Sequence, residues 1–93
     1  MEKRFMTIGV AERIPVWLQN LLWHLRDTMQ VKPRDYLQVF ALTRSEDAQT
    51  IIHTQEQLDY RKVLTVPAAD AVTEKIYIIE DPDHVTMLLA EEY

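Results

Sequence analysis

Hydrophobic positions change their period along this chain, and the changes mark out its elements. Phe5 to Val10 alternates weakly and stops near Gly9, which predicts a short first strand followed by a turn. Pro15 then takes the place of a first helical residue, where its fixed φ suits the helix and its missing N–H costs nothing. At 100° per residue, Trp17, Leu18, Leu21, Leu22, Leu25 and Met29 fall within a stripe of roughly 140°. An amphipathic helix from Pro15 to about Met29 follows, ended within a few residues by Pro33, and its stripe should face a core. Val16 and Trp23 lie on the other side of the wheel, among Gln19, Asn20, Arg26 and Asp27. Trp23 is either covered by another segment of the chain or free to anchor a partner, since Trp is enriched at interface hot spots.

After Asp35 the period shortens to two. Tyr36 to Thr43 reads as a central strand, apolar on both faces: Tyr36, Phe40 and Leu42 on one, Leu37, Val39 and Ala41 on the other. Ser45 to Gln49 is a polar turn. Thr50 to Gln55 and Tyr60 to Val66 read as two more polar strands, a hairpin joined around Glu56 to Asp59 whose mixed faces suggest a sheet edge. Pro67 to Thr73 is a connection. Lys75 to Glu80 and Val85 to Ala90 flank Asp81-Pro82-Asp83-His84, where Asp at the first position and Pro at the second suit a type I turn. Pairing Glu80 with Val85 sets Ile78 against Met87 and Ile76 against Leu89 on one side, and Ile79 against Thr86 and Tyr77 against Leu88 on the other.

The predicted order is β-α-β-β-β-β-β, an α+β domain over residues 1–93 with one amphipathic helix packed on a curled, mostly antiparallel sheet of five to six strands. One helix covers one face. Since two sheet segments are apolar on both, either the sheet curls into a partial barrel or its second face is buried against another copy or a partner.

Composition narrows the chemistry more than the fold. Ninety-three residues suit one domain, and a 47% hydrophobic content with two Trp, four Tyr and two Phe can supply its core. Without Cys there is no disulfide, thiolate nucleophile or Cys-ligated metal, in keeping with a reducing cytosol. Glu12 and Arg13 interrupt the first apolar stretch, so no secretory signal is expected, and no apolar run approaches the roughly 20 residues of a membrane span. Gly9 is the only glycine, which excludes a P-loop, a dinucleotide fingerprint and a nucleophile elbow. Ser45, the only serine, sits in a polar turn with no triad spacing. His24, His53 and His84 are too far apart for a local metal motif.

Charge is uneven within the net −5. Up to Arg44, seven basic residues face four acids; from Ser45 onward, only Arg61, Lys62 and Lys75 oppose eleven carboxylates. General binding to phosphate backbones is not expected of such a chain. Mimicry of nucleic acid by the acidic half is one alternative function. Another is a small metal-binding domain or enzyme using Glu80, Asp81, Asp83 and His84, although that run lacks the full ligand set of a calcium loop.

Several segments together resemble domain of unknown function family 960. They are Arg4-Phe5-Met6-Thr7 with Gly9-Val10-Ala11-Glu12-Arg13-Ile14-Pro15, Leu21-Leu22-Trp23, Asp35-Tyr36-Leu37-Gln38-Val39-Phe40, Ile51-Ile52-His53 and the closing Met87-Leu88-Leu89-Ala90-Glu91-Glu92-Tyr93. The resemblance implies a cytosolic protein of Gram-positive bacteria or of their phages and plasmids, and carries no activity or catalytic residues. The expected function is a non-catalytic protein-interaction module without cofactor or metal, binding itself as a homo-oligomer or a host protein, with Val16 and Trp23 as its contact residues.

Overall fold

Thr7 begins a helix that the weak alternation of the first residues conceals. In a computed structural model describing residues 2–93, its hydroxyl accepts a hydrogen bond from the Val10 N–H at 3.3 Å, an N-cap that starts α1 (Ile8–Arg13) directly after β1 (Lys3–Met6). The predicted strand and turn over Phe5 to Val10 is therefore a four-residue strand and a six-residue helix. Six residues hold too few turns for a helical period to show. Pro15 is the N-cap of α2 (Val16–Asp27), not its first residue, and Leu18 N–H and Gln19 N–H donate to its carbonyl. The helix stops at Asp27, well before Pro33, where the Thr28 hydroxyl donates to the His24 carbonyl at 2.7 Å.

Five further strands follow: β2 (Leu37–Ser45), β3 (Ala48–Gln55), β4 (Arg61–Pro67), β5 (Glu74–Glu80) and β6 (His84–Leu89), closed by a 3₁₀ turn at Ala90–Glu92. They form one six-stranded sheet in the order β1-β6-β5-β2-β3-β4, antiparallel except that β1 runs parallel to β6. The sheet is open. Its edges are β1 and β4, and of the two polar strands only β4 is an edge, since β3 lies between β2 and β4. The β5–β6 register runs from Glu80 opposite Val85 to Ile76 opposite Leu89, as the turn predicted. The expected α+β class, with one main helix on a mostly antiparallel sheet, is what the chain forms.

The core lies between α2 and one sheet face. Leu18, Leu22 and Leu25 of α2, with Val10 of α1 and Ile14, pack on Phe40, Leu42, Ile51, Ile76, Ile78, Val85, Met87 and Leu89. The buried stripe of α2 is Leu18, Gln19, Leu22, Leu25 and Arg26, rolled by about 70° from the hydrophobic stripe. Trp17, expected in the core, is consequently exposed, and its indole N–H donates to the Asp70 carboxylate at 3.0 Å. Two polar residues cause the roll. Gln19 is buried because its amide donates to the Ile14 carbonyl at 2.8 Å, and Arg26 because three carboxylates meet it.

Gly9 faces the closing turn. A Cβ there would lie 2.7 Å from a Leu89 methyl and 2.6 Å from a Glu92 carboxylate oxygen. Glu92 is not free to yield, because it accepts from the Thr7 hydroxyl at 2.6 Å and the Leu89 N–H at 2.8 Å. Alanine favours a helix by about 1 kcal/mol over glycine, but overpacking costs about 1–3 kcal/mol. Gly9→Ala is expected to destabilise by up to about 2 kcal/mol in urea unfolding, and by less in a Glu92→Ala background, where one obstacle is gone.

Candidate functional site

Strand register sorts every strand residue onto one of two faces. Opposite the helices, one cross-strand row reads Leu88, Tyr77, Val39, Thr54 and Arg61, and a second reads Lys75, Ala41, Ile52 and Val63. Phe5, Thr86, Ile79 and Leu37 form a third. None of these residues belongs to the hydrophobic cluster beneath α2. Leu37 and Leu88 are buried on this face, and Val39, Ala41, Ile52, Tyr77 and Ile79 are half-buried, so the chain itself covers part of it. Tyr93 reaches one part of it, meeting Tyr77 edge to face at 5.5 Å. Phe5 is 52% exposed and Val63 48%. Towards the β2–β3 turn the face becomes polar without becoming charged, through Thr43, Thr50 and Thr65.

The charge on this face is one-sided. Only two acids occur within the strands, Glu74 and Glu80, and register puts both on the helix side, opposite Leu42 and Val85. The open face thus carries no strand carboxylate in a chain of net charge −5. Its strand charges are Lys3, Lys75 and Arg61. An apolar centre with charge only towards its rim has the make-up of a protein interface, whose core is depleted of charge and enriched in aromatic residues.

Val16 and Trp23 sit on the helix layer, away from that face. Val16 is 68% exposed. Trp23 packs against the core and is capped by the Arg4 guanidinium, 4.6 Å from the ring centroid. Arg4 is held in turn by both Asp27 oxygens at 2.7 Å. The indole is thus covered from within the chain, by β1.

Glu80, Asp81, Asp83 and His84 do not converge. Glu80 turns to Arg26 at 2.9 Å and Arg34 at 3.6 Å, while His84 lies 3.3 Å from Asp81. Among the described residues no three His, Asp or Glu side chains are placed to share a metal ion. A cross-strand hydrogen bond from Asp81 N–H to the His84 carbonyl, at 2.8 Å, closes the hairpin at this segment.

His53, expected on an edge strand, is 1% exposed on the helix side of β3, stacked on Phe40 at 4.2 Å and meeting Tyr60 edge to face. A polar network fixes it. The Gln38 amide donates to the Asp35 carbonyl and to Gln55 Oε1, both at 2.9 Å, so Gln38 Oε1 accepts from His53 Nε2 at 2.7 Å. The neutral tautomer is therefore Nε2–H, and Nδ1 is buried without a partner. Burial, followed by the charge of Lys62, lowers its pKa from 6.5 to about 4. Nearby, the buried Asp35 carboxylate accepts from the Gln57 and Leu58 N–H groups at 2.6 and 3.2 Å, fixing the β3–β4 loop. These backbone hydrogen bonds outweigh desolvation and hold its pKa below the ordinary carboxylate value. Residues 54–61, the loop with the adjoining ends of β3 and β4, line an open concavity of about 550 Å³. This network positions the loop and brings no nucleophile and base together.

Comparison with known proteins agrees on the architecture. A solved crystal structure of a protein of unknown function from Enterococcus faecalis superposes with a TM-score of 0.84, covering 99% of this chain and 91% of that one at 23% identity. At that identity the likeness shows the fold alone. No curated protein matches the chain. No helix among the described residues is long and apolar enough to cross a membrane. A family model described as a staphylococcal protein of unknown function matches residues 3–92, nearly the whole chain, and on that match the chain belongs to the DUF960 family.

Proposed function

We propose that this chain is a non-catalytic protein-interaction module and that its interface is the open face of the sheet. The observation carrying this reading is a six-stranded face opposite the helices, apolar at its centre and without a strand carboxylate, whose Phe5 and Val63 are exposed on the two edge strands while Leu37 and Leu88 are buried by the chain itself. Evolving such a face is costly to solubility unless something covers it. The cysteine-free sequence suits a reducing compartment, so the partner is sought inside the cell, among host proteins or copies of the chain itself. An accessory role on a phage or plasmid would be compatible with a small binding module of this kind.

Two matched substitutions test where the interface lies. Val63→Glu places a charge on the open face at a residue 48% exposed, and Val16→Glu does the same on the helix layer at one 68% exposed, so the fold should tolerate both. Association with a purified binding partner, measured by titration calorimetry, is expected to weaken at least tenfold in Val63→Glu and to stay within twofold in Val16→Glu. The reverse pattern would move the interface to the helix layer and refute this reading.

A further inference from the structure

We infer that β4 is an open sheet edge to which a second copy of this chain adds its own β4, antiparallel, so that two six-stranded sheets join into one. The inference goes beyond the interaction-face reading and does not rest on it, because the two-fold axis of such a pair stands perpendicular to the sheet and leaves the open face free. Which backbone groups the edge offers follows from the β3–β4 register. Ala68 N–H donates to the Asp47 carbonyl at 2.8 Å, so Pro67 and Ala48 form a non-hydrogen-bonded pair, and the pairs alternate from there. Lys62, Leu64 and Val66 therefore bond to β3. The N–H and C=O groups of Arg61, Val63 and Thr65, with the C=O of Pro67, point away from it. All four of these residues are exposed, and among the described residues no other segment bonds to their backbone.

Edge strands usually carry a guard against further pairing: short length, a bulge, or a charge or proline within the strand. At the other edge, β1 is four residues long and includes Lys3 and Arg4. By contrast β4 has seven residues in unbroken register with β3, its charges confined to Arg61 and Lys62 at the start and its proline to the end. Between them Val63-Leu64-Thr65-Val66 is uncharged and mostly β-branched.

A second copy suits this edge because the edge is complementary to itself when reversed. With Leu64 on the axis, Val63 opposes Thr65 and Arg61 opposes Pro67 of the other copy. All seven residues then overlap, and the three outward N–H groups of each copy meet carbonyls of the other, six hydrogen bonds in all. The two nearest registers that keep outward groups opposite one another overlap by only five residues. Leu64, at the margin of the core, meets its own image on the helix side, while Val63 lies beside Thr65 on the open face. Local charge agrees. Arg61 and Lys62, with Asp59 just before them, begin the strand, whereas Glu46 and Asp47 in the β2–β3 turn and Asp70 beyond it outnumber Arg44 at its end. Reversal sets the basic start of each copy beside the acidic end of the other. Pairing β4 with β1 of another copy would instead build an open chain of copies that does not close at two.

The cysteine-free chain makes the register directly testable. Leu64→Cys sets two sulfurs on a non-hydrogen-bonded pair with Cα atoms about 4.5 Å apart, a separation a disulfide spans. Val66→Cys, two residues along the same side of the strand, sets them about 14 Å apart. Leu64→Cys should therefore oxidise to a linked pair at least tenfold faster than Val66→Cys, and equal or reversed rates overturn the pairing. One strand pair is a small contact, so light scattering over a dilution series should show the mass rising from 11.0 kDa towards twice that value only at high concentration. Thr65→Pro removes an N–H that faces solvent in the single copy, so at concentrations where both are monomeric it should unfold in urea as the wild type does. Its self-association should nevertheless weaken at least tenfold. A wild type that stays monomeric at millimolar concentration, or a Thr65→Pro variant that pairs as the wild type does, overturns the proposal. The interaction-face reading would survive either result, since the open face needs no paired edge.

Discussion

Arg26→Ala is expected to destabilise the fold by about 3 kcal/mol, the lower end of the cost of breaking a buried ion pair. The guanidinium is 2% exposed, yet it reaches four carboxylate contacts: both Glu2 oxygens at 3.1 and 3.2 Å, Asp27 at 3.2 Å and Glu80 at 2.9 Å. It thereby ties the residues before β1, the end of α2 and the end of β5 at one point. The lower end applies because the three carboxylates are partly exposed and can regain water once the arginine is gone. Arg26→Lys should recover only part of the loss, since an ammonium cannot repeat the bidentate contact with Glu2. Urea unfolding at pH 7 measures both. Glu2 gives a second readout: its hydrogen bond from Arg26 is the largest cause of its lowered pKa. A carboxylate with a lowered folded pKa contributes stability above its unfolded value of 4.5, lost as pH falls through the folded value. Arg26→Ala should remove that part of the acid sensitivity. A variant within 1 kcal/mol of the wild type would show that the cluster is decoration on a helix held by its leucines.

Arg26 also explains why the helix was only half legible. Its existence and approximate span followed from Pro15 and the spacing of Leu18, Leu22 and Leu25, which are buried. Its roll did not, because hydropathy counts Gln19 and Arg26 as surface residues, and only the carbonyls and carboxylates of distant segments make them interior ones. His53 escaped for the same reason. Nothing local in Ile51-Ile52-His53 announces that Gln38, across the strand pair, will satisfy its ring. By contrast, the β5–β6 register could be read from the turn alone, because Asp81 and Pro82 fix which residues oppose each other. The signal for α1 was Thr7, a capping residue ahead of a segment too short to display its period.

The candidate site was legible as a conflict rather than as residues. Apolar side chains on both faces of β2 and of the β5–β6 hairpin required either closure of the sheet or a covering partner, and the pairing of β1 with β6 at one edge and β4 at the other leaves the sheet open. Val16 and Trp23 stood out only because they lay off the stripe, and the roll of α2 brings Trp23 to the margin of the core beneath Arg4. The segregation of charge needed the full register. Alternation in a strand becomes a statement about a surface only when neighbouring strands are aligned.

Between pH 7 and 4 the fold is expected to lose about 2–3 kcal/mol through His53 alone. Its folded pKa of about 4 lies below the unfolded value of 6.5, so in this window the unfolded chain binds a proton that the folded chain refuses. Stability therefore falls as pH drops through 6.5 and has lost the His53 contribution near 4, while above 7 it is independent of this residue. The full difference corresponds to about 3 kcal/mol, reduced somewhat because the charge of Lys62 on the exposed edge strand is screened by solvent. The cause is steric and electrostatic together: a second proton must go on Nδ1, which lies buried beside Phe40 and Tyr60 with no acceptor in reach. Glu2, Asp35 and Glu92, whose pKa values are lowered, destabilise in the same direction, but only below about 4.5, leaving the upper part of the window to histidine. His53→Gln keeps a donor for Gln38 without a group that titrates there. The wild type's stability relative to this variant should shrink steadily from pH 7 to 4, and ¹⁵N spectra of the wild type should hold the Nε2–H tautomer throughout. Parallel stability profiles, or an imidazole that titrates near 6.5, would mean that the ring reaches water and that the network with Gln38, Gln55 and Asp35 does not seal it.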